Sequence, residues 1–224
     1  MKILIPIIAL VIAVFLAPLL FPPGGSEAVR PSGEGLPWQI IKLDNGGTRV
    51  FGLTMGVSKL GEARTVLGDA PQVAIVGTRD EAGTLEAYFE SVRLDYLTGK
   101  MILTADLPQA TVEAMRQRAI KTDYMESTTR RSTLSPADLE TAMNAPIRAI
   151  AFIPSVNLDE ATVLQRFGPP GERIRGSETA EHLLYADKGL DIVLDSKGKE
   201  LLQYVAPRHF ESLREPLLTA PTKH

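Results

Sequence analysis

The sequence predicts an α+β chain: an N-terminal transmembrane helix followed by two similar units, each a helix packed on an antiparallel β-meander. Three observations carry that expectation. An unbroken apolar run opens the chain, turn-punctuated stretches of alternating polarity follow it, and one order of elements and glycines occurs twice.

The apolar run spans Ile3 to Phe21, with only Lys2 and the terminal amine before it. As a helix it is long enough to cross a hydrocarbon core of ~30 Å, and Pro22, Pro23, Gly24 and Gly25 stop it. Positive charge ahead of the run predicts a cytoplasmic N-terminus and an exported remainder: a single-pass inner-membrane protein with a periplasmic C-terminal domain. A second reading is cleavage and release to the periplasm, because Ser26-Glu27-Ala28 puts small residues where a signal peptidase cuts. Cleaved apolar cores are usually roughly 7–15 residues long, so the length favours an anchor. Residues 1–23 are therefore read as anchor or signal segment, and residues 24–37, rich in Gly, Pro, Ser and Glu, as a linker.

Residues 38–107 form the first unit. Trp38 to Leu43 and Thr48 to Leu53 read as strands around Asp44-Asn45-Gly46-Gly47, whose Asn and Gly tolerate the positive φ of a hairpin turn. A helix starts at Ser58, its N-cap, buries Leu60, Ala63, Val66 and Leu67, and ends at Gly68. Strands are expected at Gln72 to Val76, Leu85 to Phe89, Val92 to Tyr96 and Met101 to Ala105. In the third of these, Val92, Leu94 and Tyr96 alternate with Arg93 and Asp95.

Residues 108–146 read as a helical connector. Val112, Met115 and Ala119 share one face, and Ser135 caps a helix that has Pro136 at its first position. The stretch Ser127 to Ser132 reads as an exposed loop. Residues 147–206 then repeat the pattern: a strand from Ile147 to Ile153, a helix opened by Asn157-Leu158-Asp159-Glu160 and closed at Phe167-Gly168, and strands at 172–175, 182–186, 190–194 and 201–205. Residues 207–224 are a short amphipathic turn and tail.

Laid side by side, Leu67-Gly68-Asp69-Ala70-Pro71 matches Phe167-Gly168-Pro169-Pro170. Leu94-Asp95-Tyr96 before Gly99-Lys100 likewise matches Leu190-Asp191-Ile192 before Gly198-Lys199, and Tyr88 matches Tyr185 one strand earlier. A helix closed in this way and followed by a meander resembles the BamE/SmpA (OmlA)-like domains of bacterial envelopes. Two in tandem look like the beta-lactamase-inhibitor-protein type of fold. The resemblance covers roughly residues 48–107 and 147–206. It implies a non-enzymatic adaptor in envelope assembly, with another envelope protein as partner.

Composition narrows the chemistry. The net charge is −3, and Lys and Arg are dispersed among Asp and Glu, so no basic stripe attracts nucleic acid. The absence of cysteine excludes disulfides, a thiolate nucleophile, Cys-ligated zinc, iron–sulfur clusters and a lipid-modified cysteine. Of three histidines, His209 and His224 lie in the tail and His182 opens a predicted strand; none is spaced for a helical metal site. Asp95 and Asp191 occupy matched places and are the carboxylates an envelope enzyme acting on cell wall or sugar would use, but each alternates with apolar neighbours as a solvent-facing strand residue does. Asp187 and Asp195 near turns read the same way, and Gly168-Pro169-Pro170-Gly171 reads as a helix stop. Trp38, Tyr88, Phe89, Tyr96 and Tyr204 are divided between core packing and an exposed anchor for a protein partner. No catalytic, cofactor-binding or metal residue is assigned, no cofactor is expected, and the partners expected are the membrane, through residues 3–21, and a protein.

Overall fold

The computed structural model describes residues 34–68, 70–78, 81–124 and 129–219. β1 (Ile41–Lys42), β2 (Thr48–Val50) and β3 (Leu53–Thr54) form a small sheet in that order. Ten further strands make one antiparallel sheet: β4 (Gln72–Thr78), β5 (Thr84–Leu94), β6 (Leu97–Ala105), β7 (Lys121–Tyr124), β8 (Thr129–Thr133), β9 (Ile147–Pro154), β10 (Glu172–Arg175), β11 (Ala180–Tyr185), β12 (Leu190–Asp195) and β13 (Leu201–Val205). Their spatial order is β10-β11-β12-β13-β9-β6-β5-β4-β8-β7. The helices are α1 (Leu60–Leu67), α2 (Gln109–Gln117), α3 (Leu139–Asn144), α4 (Glu160–Phe167) and α5 (Glu211–Thr219).

This architecture overturns the expected fold class. Instead of two helix-on-meander units there is one continuous sheet, closed where β6 pairs with β9 through Met101↔Phe152 and Leu103↔Ile150. The reason is burial. β6 and β9 are apolar on both faces, and such strands are unstable as open edges, so each covers the other. The expected transmembrane anchor is corrected as well, and with it the single-pass inner-membrane localisation. Among the described residues no helix is long and apolar enough to cross a membrane. The longest, α2 and α5, have nine residues, which at 1.5 Å each is far short of a hydrocarbon core. The run Ile3 to Phe21 lies outside the described residues.

The first meander also differs from expectation. Leu85 to Phe89 and Val92 to Tyr96 are not two strands but parts of β5, which has a register shift between Phe89 and Val92. A bulge there puts both Phe89 and Val92 on the buried side and breaks the alternation of two that the sequence shows elsewhere. Asp95 and Tyr96 form the turn into β6, closed by Leu94 opposite Leu97, with Asp95 at φ 55°. Residues 108–146 hold α2, α3 and the hairpin β7–β8, which extends the sheet beyond β4. The stretch from Thr129 to Ser132, expected to be loop, therefore belongs to the strand Thr129–Thr133, and Thr129, Arg130 and Ser132 are buried.

One face of the sheet carries the main core. Leu85, Ala87 and Phe89 of β5, Met101 and Leu103 of β6, Ile150 and Phe152 of β9, and Leu202 and Tyr204 of β13 meet Leu60, Ala63 and Leu67 of α1 and Val163 and Phe167 of α4. Each of the Leu, Ile, Val, Met and Phe side chains contributes about 1.5–3 kcal/mol on burial. On the opposite face Ile102, Ala151, Ile153 and Leu201 form a smaller cluster, and Phe210 with Leu213 of α5 covers Leu184 and Val205. α4 starts as the sequence predicts: Asp159 accepts a hydrogen bond from the Thr162 N–H at 2.8 Å. Its end is fastened to the sheet, because the buried Tyr185 hydroxyl donates to the Gly168 carbonyl at 2.9 Å. Tyr185→Phe removes that bond without opening a cavity, and urea unfolding should show a loss of about 1 kcal/mol. An unchanged midpoint would mean that the helix end is held by packing alone.

Candidate functional site

The chain segment before β1 crosses the main core, where the buried Tyr204 hydroxyl donates to the Pro37 carbonyl at 3.0 Å. That fixes the next residue, Trp38, half-buried at the surface. Phe167, the last residue of α4, meets the indole edge-on, with centroids 6.2 Å apart at 86°. Tyr96, lifted out by the β5–β6 turn, is 66% exposed, and its ring centroid lies 6.4 Å from that of Trp38. Arg166, one residue before Phe167, sets its guanidinium carbon 4.8 Å from the Trp38 ring centroid. The result is a surface cluster of Trp, Tyr and Arg assembled from three separate stretches of chain. A cation over an indole face is attractive, and Arg166 is exposed and makes no ion pair with a carboxylate among the described residues. The nearby Asp95 carboxylate packs against the Gly35 backbone instead, where even a methyl group on Gly35 would come within 2.9 Å of it.

A second cluster lies on the opposite face. The His182 ring nitrogen Nδ1 is 2.8 Å from Asp191 Oδ2, and Gln203 Nε2 donates to the same oxygen at 3.3 Å. Asp191 is 1% exposed. Asp191 Oδ1 and Gln203 Oε1 have no hydrogen-bond partner among the described residues. A histidine oriented by a buried carboxylate is the arrangement of a general base. Here the other ring nitrogen faces backbone: a Cβ on Gly176 would sit 2.8 Å from Nε2. The pair thus ties β11 to β12 beside the β10–β11 turn.

Further along that face Glu86 is 4% exposed between Ala74 and Thr104 and accepts from the Thr84 hydroxyl at 2.8 Å. Burial pushes its carboxyl up to about 7, and the Thr84 hydrogen bond offsets only part of that. Two places away on β5, Tyr88 donates to Glu90, which pairs with Lys100 at 3.0 Å. Burial, and then the Glu90 carboxylate, raise the Tyr88 phenol well above its ordinary range.

The structure separates residues that the sequence paired and joins others it kept apart. Asp95 and Asp191 are not equivalent, one lying in an exposed turn and the other buried in β12. Tyr88 and Tyr185 point to opposite faces of the sheet, Tyr185 into the main core and Tyr88 against the smaller cluster. Ser58 is not the N-cap of α1. That position is Lys59, while the Ser58 hydroxyl accepts from the Thr54 N–H at 3.1 Å. Asp187 pairs with Lys42 at 2.7 Å, and Asp195 accepts from the Lys197 N–H in its turn. Phe89 and Tyr204 are core and Tyr88 is half-buried against the smaller cluster, which leaves Trp38 and Tyr96 of the expected set together at the surface. Arg166 was not singled out in the sequence, since only the fold brings it to Trp38. His209 belongs to the short turn before α5, and His224 lies outside the described residues. Among the described residues no group of three or more His, Asp or Glu side chains is placed to hold a metal ion. No protein-family model, curated protein or solved structure matches this chain.

Proposed function

We propose that the chain is a non-enzymatic binding protein that docks an acidic, apolar segment of another protein on Trp38, Tyr96 and Arg166. The observation that carries the reading is an exposed guanidinium seated on an indole beside an exposed phenol. Trp, Tyr and Arg are the residue types that dominate binding energy in protein interfaces. The rings supply contact area at small entropic cost, and Arg166 keeps its N–H donors for a carboxylate that the described residues do not provide. The resemblance of the helix–meander pattern to BamE/SmpA (OmlA)-like adaptor domains supports the same reading.

Peptide display against the purified full-length chain tests it. The expected consensus is an Asp or Glu next to a large apolar residue. Tyr96→Ala should weaken a selected peptide by about thirtyfold, the ratio that corresponds to a hot spot of about 2 kcal/mol. Arg166→Glu should shift the consensus from acidic to basic. Both side chains are exposed, so thermal melts should be unchanged. A consensus without acidic residues, or binding indifferent to Tyr96→Ala and Arg166→Glu, refutes the reading.

A further inference from the structure

On the face of the sheet away from the main core, two buried oxygens receive no hydrogen bond from any of the described residues. They belong to Asp191 on β12 and Gln203 on β13, which stand directly opposite each other in the ladder. The two residues are 1% and 3% exposed. Asp191 Oδ2 already has two donors, His182 Nδ1 at 2.8 Å and Gln203 Nε2 at 3.3 Å. Asp191 Oδ1 and Gln203 Oε1 are the pair left without one. Turning the Gln203 amide over does not help, because its oxygen would then face the carboxylate. A buried acceptor without a donor is destabilising, and most so when it carries charge.

The surroundings narrow what can supply the donors. His182 is the one salt-bridge partner of Asp191 among the described residues, and a neutral imidazole gives an N–H without a charge. A buried carboxylate needs a counter-charge as well as hydrogen bonds. Two oxygens fall far short of the roughly six that calcium or magnesium takes. A water molecule donates but is uncharged. A primary ammonium is cationic and carries several N–H donors on a compact head. Across the sheet from Gln203 comes Ala151, and then Ile102. Both belong with Leu201 to the smaller apolar cluster. The short side chain of Ala151 keeps the surface low beside Gln203, so an alkyl chain fits between Gln203 and Ile102. The His182 side chain is 13% exposed, which puts the acceptors one side chain from solvent. We propose that Asp191 and Gln203 form a binding site for a primary alkylammonium group, either a free amine or a lysine side chain. Asp191 Oδ1 and Gln203 Oε1 hold its nitrogen, and its alkyl chain lies on Ala151, Ile102 and Leu201. The site shares no residue with the Trp38 cluster and does not depend on the role proposed for that cluster.

Calorimetric titration of the full-length protein tests it. n-Hexylammonium should bind saturably. n-Hexyltrimethylammonium keeps the charge and the chain but has no N–H, and it should bind roughly tenfold more weakly or worse. In NMR spectra the His182 imidazole signals should shift along the same saturation curve, while those of His209 and His224 stay in place. Asp191→Asn keeps the shape, removes the charge and should weaken n-hexylammonium by roughly tenfold or more. Nα-acetyl-lysine methylamide separates the two sources. Binding as tight as that of n-hexylammonium identifies a lysine side chain, and much weaker binding identifies a free amine. Absence of saturable n-hexylammonium binding overturns the inference. So does n-hexyltrimethylammonium binding equally well, a His182 signal that does not move, or a folded Asp191→Asn protein that binds like the wild type. The ligand comparison uses the wild type, so it decides the matter even if Asp191→Asn does not fold.

Discussion

Glu86→Gln should make the protein more stable at pH 8 and abolish a fall in stability that the wild type shows between about pH 4.5 and pH 7. The carboxyl titrates near 4.5 when free and near 7 in the fold, because burial penalises its charged form. Between those values the folded state holds a proton that the unfolded chain has released. The folded state then binds more protons, so stability declines as pH rises through this window and is flat above it. Integrated over the window, the loss is on the order of 3 kcal/mol. Glutamine keeps the shape and still accepts from the Thr84 hydroxyl, but it does not ionise. Urea unfolding of both proteins at pH 4.5 and pH 8 isolates the effect, because every other titrating group is common to the two. The gap between them should widen by on the order of 3 kcal/mol at the higher pH. Parallel stability curves would mean that Glu86 is solvated in the fold.

Local signals in the sequence are legible where chemistry is local. Asn45 and Gly46 mark the β1–β2 turn, and there the Asn45 side chain accepts from the Gly47 N–H at 2.9 Å and Gly46 has φ 75°. The apolar faces of α1 and α4 and their closing glycines appear where periodicity puts them. Signals that need pairing are not legible. Nothing in the composition of β6 or β9 says that they bond to each other and not to strands of their own units. β8 reads Thr-Arg-Arg-Ser-Thr, with no apolar alternation, and becomes a strand only because β4 offers an edge. The bulge in β5 resembles a strand break, and Asp95, matched to Asp191 by the Leu-Asp pair before Gly-Lys, lies in the turn at the end of that strand and not within a strand as Asp191 does. His182 and Asp191, by contrast, are neighbours on the β11–β12 hairpin. With Leu184 opposite Asp191, the register alone would have put them on one face. Trp38 and Arg166 are 128 positions apart, and only the packing of α4 against the N-terminal segment unites them.

Phe51→Ala should cost about 3–5 kcal/mol, as truncating a buried aromatic does. Phe51 is fully buried, and its ring centroid lies 5.6 Å from Phe152 and 5.4 Å from Tyr204, the latter at 81°. It is also one of two non-glycine residues with positive φ among the described residues, at 56°, in the turn that carries β2 into β3. A bulky side chain is rare in the left-handed region, where a Cβ costs roughly 1–2 kcal/mol, so ring packing must hold it there. This predicts an inverted order of substitutions. At most buried positions glycine is worse than alanine, but at Phe51 both lose the same ring and only glycine relieves the backbone. Phe51→Gly should therefore be less destabilising than Phe51→Ala by about 1 kcal/mol. The effect should also reach the binding patch, because Tyr204 both packs on Phe51 and holds the Pro37 carbonyl next to Trp38. Trp38 is the only tryptophan, so its fluorescence reports that segment alone. In Phe51→Ala the fluorescence should change at a lower urea concentration than the circular dichroism of the sheet, because the N-terminal segment detaches first. Coincident transitions would show instead that the segment and the sheet unfold as one unit.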